Sequence, residues 1–209
     1  SSNNETSVWG LKGSEQLGNA EVSFVLENSF NSDDGAKADD RLFDQEASLT
    51  VSGAYGSVSA GRLGALSAAT GTYDTVFSVG ESFDGGDGEV YGLAAAPILD
   101  NTIAYQTPEF AGFKLTAMYS FKGDSSASGT ENTSQVDRYY GASLNYEKGA
   151  FQGVLSYEFV NRASAGEGAS EITEDGQLVN LGVNYNFEDV AQVFAMGQYF
   201  KGWDEGVAN

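Results

Sequence analysis

Val179, Leu181, Val183, Tyr185 and Phe187 alternate with Asn180, Gly182, Asn184 and Asn186, a period of two that fits a β-strand with unlike faces. The pattern returns along the chain. Ala20, Val22, Phe24 and Leu26 oppose Glu21, Ser23, Val25 and Glu27, and Phe43, Ala47, Leu49 and Val51 oppose Asp44, Glu46, Ser48 and Thr50. Phe113, Leu115, Ala117 and Tyr119 oppose Lys114, Thr116, Met118 and Ser120, while Tyr140, Ala142, Leu144 and Tyr146 oppose Gly141, Ser143, Asn145 and Glu147. Phe151, Leu155, Tyr157 and Phe159 oppose Gln152, Ser156 and Glu158. A last strand, Val193 to Phe200, is less clean, with Phe194 and Met196 on its nominally polar face. About ten strands result, and an all-β chain with them.

Their connections alternate between short and long. Leu17-Gly18-Asn19, Gly53-Ala54-Tyr55-Gly56, Pro108 to Gly112, Lys148-Gly149 and Glu188-Asp189 are short turns. Between them lie polar loops at 28–40, 62–100, 122–137 and 161–177. That rhythm belongs to an antiparallel up-and-down meander with its large loops at one end. Aromatics recur at strand ends: Tyr119 and Phe121, Tyr146, Tyr157 and Phe159, Tyr185 and Phe187, Tyr199. In a transmembrane β-barrel such residues form interfacial girdles, with apolar side chains outward and polar ones in the lumen. A soluble β-sandwich also alternates, with the apolar face inward, and no single strand separates the two.

Charge and residue usage narrow the function classes. The 209 residues hold 30 acidic against 10 basic side chains, a net charge of -20, and neither His nor Cys. A nucleic-acid partner needs clustered Lys and Arg and is not expected. Without His or Cys, a His-based hydrolytic triad, a His-ligated zinc and a thiolate metal site all lack their ligands or bases, and no enzyme is expected. No apolar run reaches helix-spanning length, so no transmembrane helix is expected.

Residues 62–100 break the alternation. The stretch is Gly- and Ala-rich, carries Tyr73, Asp74, Phe77, Glu81, Asp84, Asp87 and Glu89, and ends at Pro97 before the next strand. Its length exceeds an ordinary hairpin loop, and loops of this kind are functional or disordered. The expectation is that it folds into the barrel lumen and narrows a water-filled pore; a solvated surface loop is the competing reading. Asp84-Gly85-Gly86-Asp87-Gly88-Glu89 hints at calcium but lacks EF-hand spacing, so no cofactor is assigned.

Val8-Trp9-Gly10-Leu11-Lys12-Gly13-Ser14-Glu15 with Leu17-Gly18-Asn19, then Arg41-Leu42-Phe43, Ala60-Gly61-Arg62 and the run Asn101 to Phe113, occur in that order. Together they resemble the general porins of Gram-negative bacteria of the neisserial and β-proteobacterial type, over essentially the whole chain. The resemblance implies a single domain, 1–209, of a sixteen-stranded outer-membrane barrel whose third long loop, 62–100, folds inward. It implies a homotrimer in outer-membrane lipid and lipopolysaccharide, passing small hydrophilic solutes and ions. The acidic loops near Asp33 to Asp40 and Glu167 to Asp175 are then either solvated or hold divalent cations that bridge to lipopolysaccharide. A surface or secreted soluble β-rich adhesive protein is the alternative.

Against that resemblance the chain begins inside the first loop and stops after the eleventh strand, which reads as a partial sequence; a smaller barrel closed by about ten strands is the other reading. Two basic positions of the family are here Val8 and Ala104. Of the basic cluster facing the loop acids only Arg62 carries over, with Lys12 as a possible neighbour, and Gly61 leaves the direction of Arg62 open. The expected constriction is therefore Arg62, Lys12, Asp74, Glu81, Asp84, Asp87 and Glu89, with Glu21, Glu27, Asp44, Glu46 and Lys114 in the lumen. This excess of acids gives an expected preference for cations.

Overall fold

The computed structural model describes residues 7–68, 72–73, 75–76, 79, 98–163, 174–187 and 190–202. Ten strands form one antiparallel sheet in chain order. They are β1 Ser7–Leu17, β2 Ala20–Phe30, β3 Glu46–Gly53, β4 Gly56–Gly64, β5 Ile98–Gln106, β6 Phe113–Ser120, β7 Arg138–Lys148, β8 Phe151–Asn161, β9 Gly176–Asn186 and β10 Gln192–Lys201. Strands of eight to eleven residues match what a tilted strand needs to cross a bilayer. The sheet order runs from β1 to β10, with no pairing of β1 to β10 among the described residues, so the strands form one continuous wall.

Burial is inverted relative to a soluble sandwich. The polar face is the covered one: Asn180 and Thr116 are 0% exposed and Ser143 1%. The apolar face is open. Leu115, Leu144, Leu155 and Leu181 are consecutive register partners across β6 to β9, and each is 40–58% exposed. A soluble protein does not leave such a row in water; a hydrocarbon solvent makes it the favoured outer surface.

Aromatics bracket this row in two belts. At the short-turn end Phe113 packs on Tyr146 at 4.5 Å between ring centroids, and Tyr146 on Phe151 at 6.0 Å. At the long-loop end Tyr119 packs on Phe121 and Tyr140 at 4.7 and 4.8 Å, and Tyr140 on Phe159 at 6.1 Å. Phe113 and Tyr119, six residues apart on β6, stand about 20 Å apart along the strand at ~3.3 Å per residue and mark the two edges of the apolar row.

One irregularity matters for the site. The β4–β5 register shifts between Gly61 and Leu63, a bulge. Gly61 sits at φ 136°, and a Cβ there would stand 2.1 Å from the Ala47 carbonyl oxygen, so only glycine fits. The extra residue lies on β5, where Thr102 to Leu99 spans three steps against two from Gly61 to Leu63, and Leu63 keeps the inward parity of Ser57 and Ser59, 0% exposed.

Candidate functional site

On the inner face, register partners from all ten strands form a single polar row. It runs Gln16, Glu21, Ser52, Ser57, Gln106, Thr116, Ser143, Ser156, Asn180, Gln198. Neighbours in it bond sideways: Gln106 Nε2 donates to Thr116 Oγ1 at 2.9 Å, Asn180 Nδ2 to Ser156 Oγ at 3.0 Å, and Gln198 Nε2 to Asn180 Oδ1 at 2.8 Å. The adjacent row changes character along the sheet. It is Ser14, Ser23, Thr50 and Ser59 on β1 to β4, then Ala104, Met118, Gly141, Glu158, Leu178 and Phe200 on β5 to β10.

The apolar half of that row receives the segment after β4. Leu63, Ala65, Leu66, Ala68 and Tyr73 are buried with Leu99, Ala104, Met118, Tyr139, Val160 and Leu178, and Phe200 packs against them. A second contact joins Val76 and Val79 to Val154 and Met196. Met196 and Phe200 thus face inward because they pack against this segment or the cluster it joins, which explains the unclean pattern of the last strand.

Hydrogen bonds fix the same segment. The Tyr139 hydroxyl donates to Glu158 Oε2 at 2.6 Å and accepts from the Leu66 amide at 3.2 Å, while the Ser67 amide donates to Glu158 Oε2 at 3.4 Å. Asn145 Nδ2 donates to the Thr75 carbonyl at 2.6 Å and Asn184 Nδ2 to the Val79 carbonyl at 3.2 Å. At the β3–β4 end of the same face, the Tyr73 hydroxyl lies 3.0 Å from Ser57 Oγ and 2.9 Å from Ser59 Oγ, and the Thr72 hydroxyl donates to Glu46. The described part of 62–100 therefore lies against the inner face from β3 to β10.

The expected acids Asp74, Glu81, Asp84, Asp87 and Glu89, the last three with the calcium-like run, lie outside the described residues. Arg62 is placed and engaged. Its Nε donates to the Asp44 carbonyl and its Nη1 to Asp100 Oδ1, both at 2.7 Å. Asp100 also takes Arg41 Nη1 at 2.6 Å and the Ser125 amide and hydroxyl at 2.8 and 2.7 Å. Arg41 Nη2 reaches Asp124 at 2.7 Å. Loops 31–45 and 121–137 are so clamped to the base of the inward segment. The Ser126 hydroxyl holds the Asp124 carboxyl below its ordinary value, with Arg41 adding to this against burial.

Lys12 lies on the inner face as the register partner of Val25, and Lys114 as that of Asn145. Glu21 is in the polar row, and Glu46, 6% exposed, faces the inward segment through Thr72. Asp44 is not a strand residue: β3 starts at Glu46, and Asp44 precedes it. Its carboxylate accepts from the Ser29 amide at 2.7 Å, the Ser29 hydroxyl and Asn28 Nδ2 at 3.2 Å. Burial pushes that carboxyl up, but the two Ser29 bonds outweigh it and hold it below the usual range. Glu158, Tyr139, Asp100 and Arg41 were not expected as site residues. Glu158 was visible only as a polar-face acid, and a covered acid and a wet one have the same spacing.

Comparison with known proteins agrees with this geometry. A family model described as Gram-negative porin matches residues 1–208. An outer membrane porin protein of Bordetella pertussis is 31% identical over 96% of this chain and 54% of its own length. Outer membrane porin protein 32 of Delftia acidovorans is 30% identical over 87% and 51%. Among solved structures, an anion-selective porin from Comamonas acidovorans superposes with a TM-score of 0.65 at 26% identity, covering 94% of this chain and 58% of that one. The chain spans about half the length of the curated relatives it matches. An inverted wall, a segment lying on its polar face and these matches together place the chain in the family of Gram-negative porins, proteins of the outer membrane.

Proposed function

We propose that the complete protein is a water-filled outer-membrane channel for passive diffusion of small hydrophilic solutes and ions, with 62–100 narrowing the passage. The observation that carries this is the packing of Leu66, Tyr73, Val76 and Val79 onto the polar face of a wall whose apolar face is open. A polar inner surface lets solutes cross without meeting hydrocarbon, and no bond is made or broken, so the passage is not enzymatic and needs no cofactor. The protein works as a homotrimer in outer-membrane lipid and lipopolysaccharide; a monomeric mass for the complete protein in mild detergent contradicts the trimer.

The channel prefers cations. Arg62, the basic residue nearest the inward segment's base, is held by Asp100. The inner face then offers Lys12 and Lys114 against Glu21, Glu27, Glu46, Glu147 and the covered Glu158, before the acids of 62–100 are added. Charges in a narrow, low-dielectric passage act on ions more strongly than in bulk water. The preference fades with salt, as the Debye length falls from about 10 Å at 0.1 M to 3 Å at 1 M. Planar bilayers under a KCl gradient test both parts. Stepwise conductance with a cation-selective reversal potential is expected, and selectivity like that named for the Comamonas relative would overturn the preference while leaving the channel intact.

A further inference from the structure

Two inner-face positions in the middle of strands carry no side chain although their partners on both sides are large. Gly141 on β7 lies between Met118 and Glu158, and Gly182 on β9 between Val154 and Met196. Neither is among the glycines with left-handed backbone, so conformation does not require them. Glycine weakens a strand interior, and a close approach by another part of the chain is a physical reason for it there.

Each gap is filled by the inward segment. A Cβ at Gly141 would stand 2.5 Å from the Tyr139 hydroxyl oxygen and 2.8 Å from Leu66 Cδ1. A Cβ at Gly182 would stand 3.0 Å from Val154 Cγ1, 3.3 Å from Met196 Cγ and 3.4 Å from Val79 Cγ1. The first notch seats Leu66 and keeps the Tyr139 hydroxyl within reach of the Leu66 amide. At the second, Val79 stands at ordinary contact distance, so an added methyl presses on Val154 and Met196 of the wall and not on the segment. Interior packing has little slack, so an added methyl displaces whichever neighbour is least restrained. At Gly141 that neighbour is Leu66, since Tyr139 belongs to a paired strand and Leu66 does not.

We propose that Gly141 is a size-determining position of the channel: a notch in the wall that sets how deeply the inward segment is seated. A side chain there lifts the segment toward the channel axis and narrows the passage. This rests on the reading that 62–100 constricts the channel.

Single-channel conductance of the complete protein in planar bilayers is the test. Gly141→Ala loses conductance, because its Cβ would meet Leu66 at 2.8 Å. Gly153→Ala, whose Cβ meets nothing closer than 3.4 Å, keeps the wild-type value. Adding Leu66→Ala to Gly141→Ala restores conductance, which a defect confined to the wall does not allow. The heat-denaturation midpoint in detergent reads the same coupling without any conduction: Gly141→Ala lowers it less in a Leu66→Ala background than in wild type. If Gly141→Ala fails to fold, recovery of folding by the added Leu66→Ala carries the test, and a double variant that also fails overturns the notch. A folded Gly141→Ala with unchanged conductance, or additive midpoints, overturns it too. A wild-type protein that conducts nothing yet shows the coupling overturns the channel instead.

Discussion

The inner face has two halves that meet the inward segment by different physics. On β3 and β4 the wall is hydroxyl and acid, and it touches the segment through Glu46, Ser57 and Ser59, which bond Thr72 and Tyr73. On β5 to β10 the wall turns partly apolar, and Leu178, Val154 and Met196 make contact by burial. Hydrogen bonds to a wall that could equally bond water contribute little net stability, whereas apolar surface removed from water contributes in proportion to area. The segment is therefore held mainly from the β5–β10 side and aligned from the β3–β4 side.

The largest expected effect comes from cutting the strong side. Leu66→Ala leaves a cavity in a fully buried site and should cost about 2–5 kcal/mol, read from detergent-resolved unfolding. A cost near zero would mean that the apolar half does not hold the segment. Slightly smaller is the contrast between the faces of β7: Leu144→Arg at mid-bilayer should cost roughly 2–4 kcal/mol. Asn145→Arg, on the channel side, should be tolerated and change conductance. Labelling that found Leu144 facing water and Asn145 facing detergent would reverse the wall.

Cutting the weak side does less. Tyr73→Phe removes the bonds to Ser57 and Ser59 and should cost about 0.5–1.5 kcal/mol in the same unfolding experiment. A loss as large as that of Leu66→Ala would abolish the distinction between the two halves. The smallest effect concerns acid. Asp44 is held below its ordinary value of 3.8, so its contribution is present above that value and lost as pH falls through the depressed one. Trp9 reports on it, since its Nε1 donates to Asn28, which donates to Asp44. In a Trp203→Phe background, Trp9 emission should hold steady down to about pH 4 and shift only below it. A shift already complete at pH 5 would show that Asp44 does not hold this corner.

The strands were legible because the side-chain period is local: Leu144 and Asn145 take opposite faces wherever β7 lies. The inward course of 62–100 was legible only as a length, since nothing within it marks the surface it meets. Met196 and Phe194 were visible as breaks in the alternation, but their meaning needs Val76 and Val79 beside Met196. Asp44 was assigned to a strand by parity, which takes no account of where pairing begins; its bonds to Ser29 compete with the ladder. The pairing of Arg41 with Asp100 spans 59 positions, beyond any periodic signal.

Among the described residues every strand pairs only with its neighbours in sequence, so a growing edge can accept one hairpin at a time without waiting for a distant partner. The inward segment has no such freedom. It leaves the wall after β4, yet its far contact needs Asn184, 105 positions beyond Val79, and Met196 on β10. Its resting place does not exist until six more strands have been laid down, so a reporter at Val79 matures after one at Leu144 during refolding. In time as well as in space, the inward segment is finished after the wall it lies on.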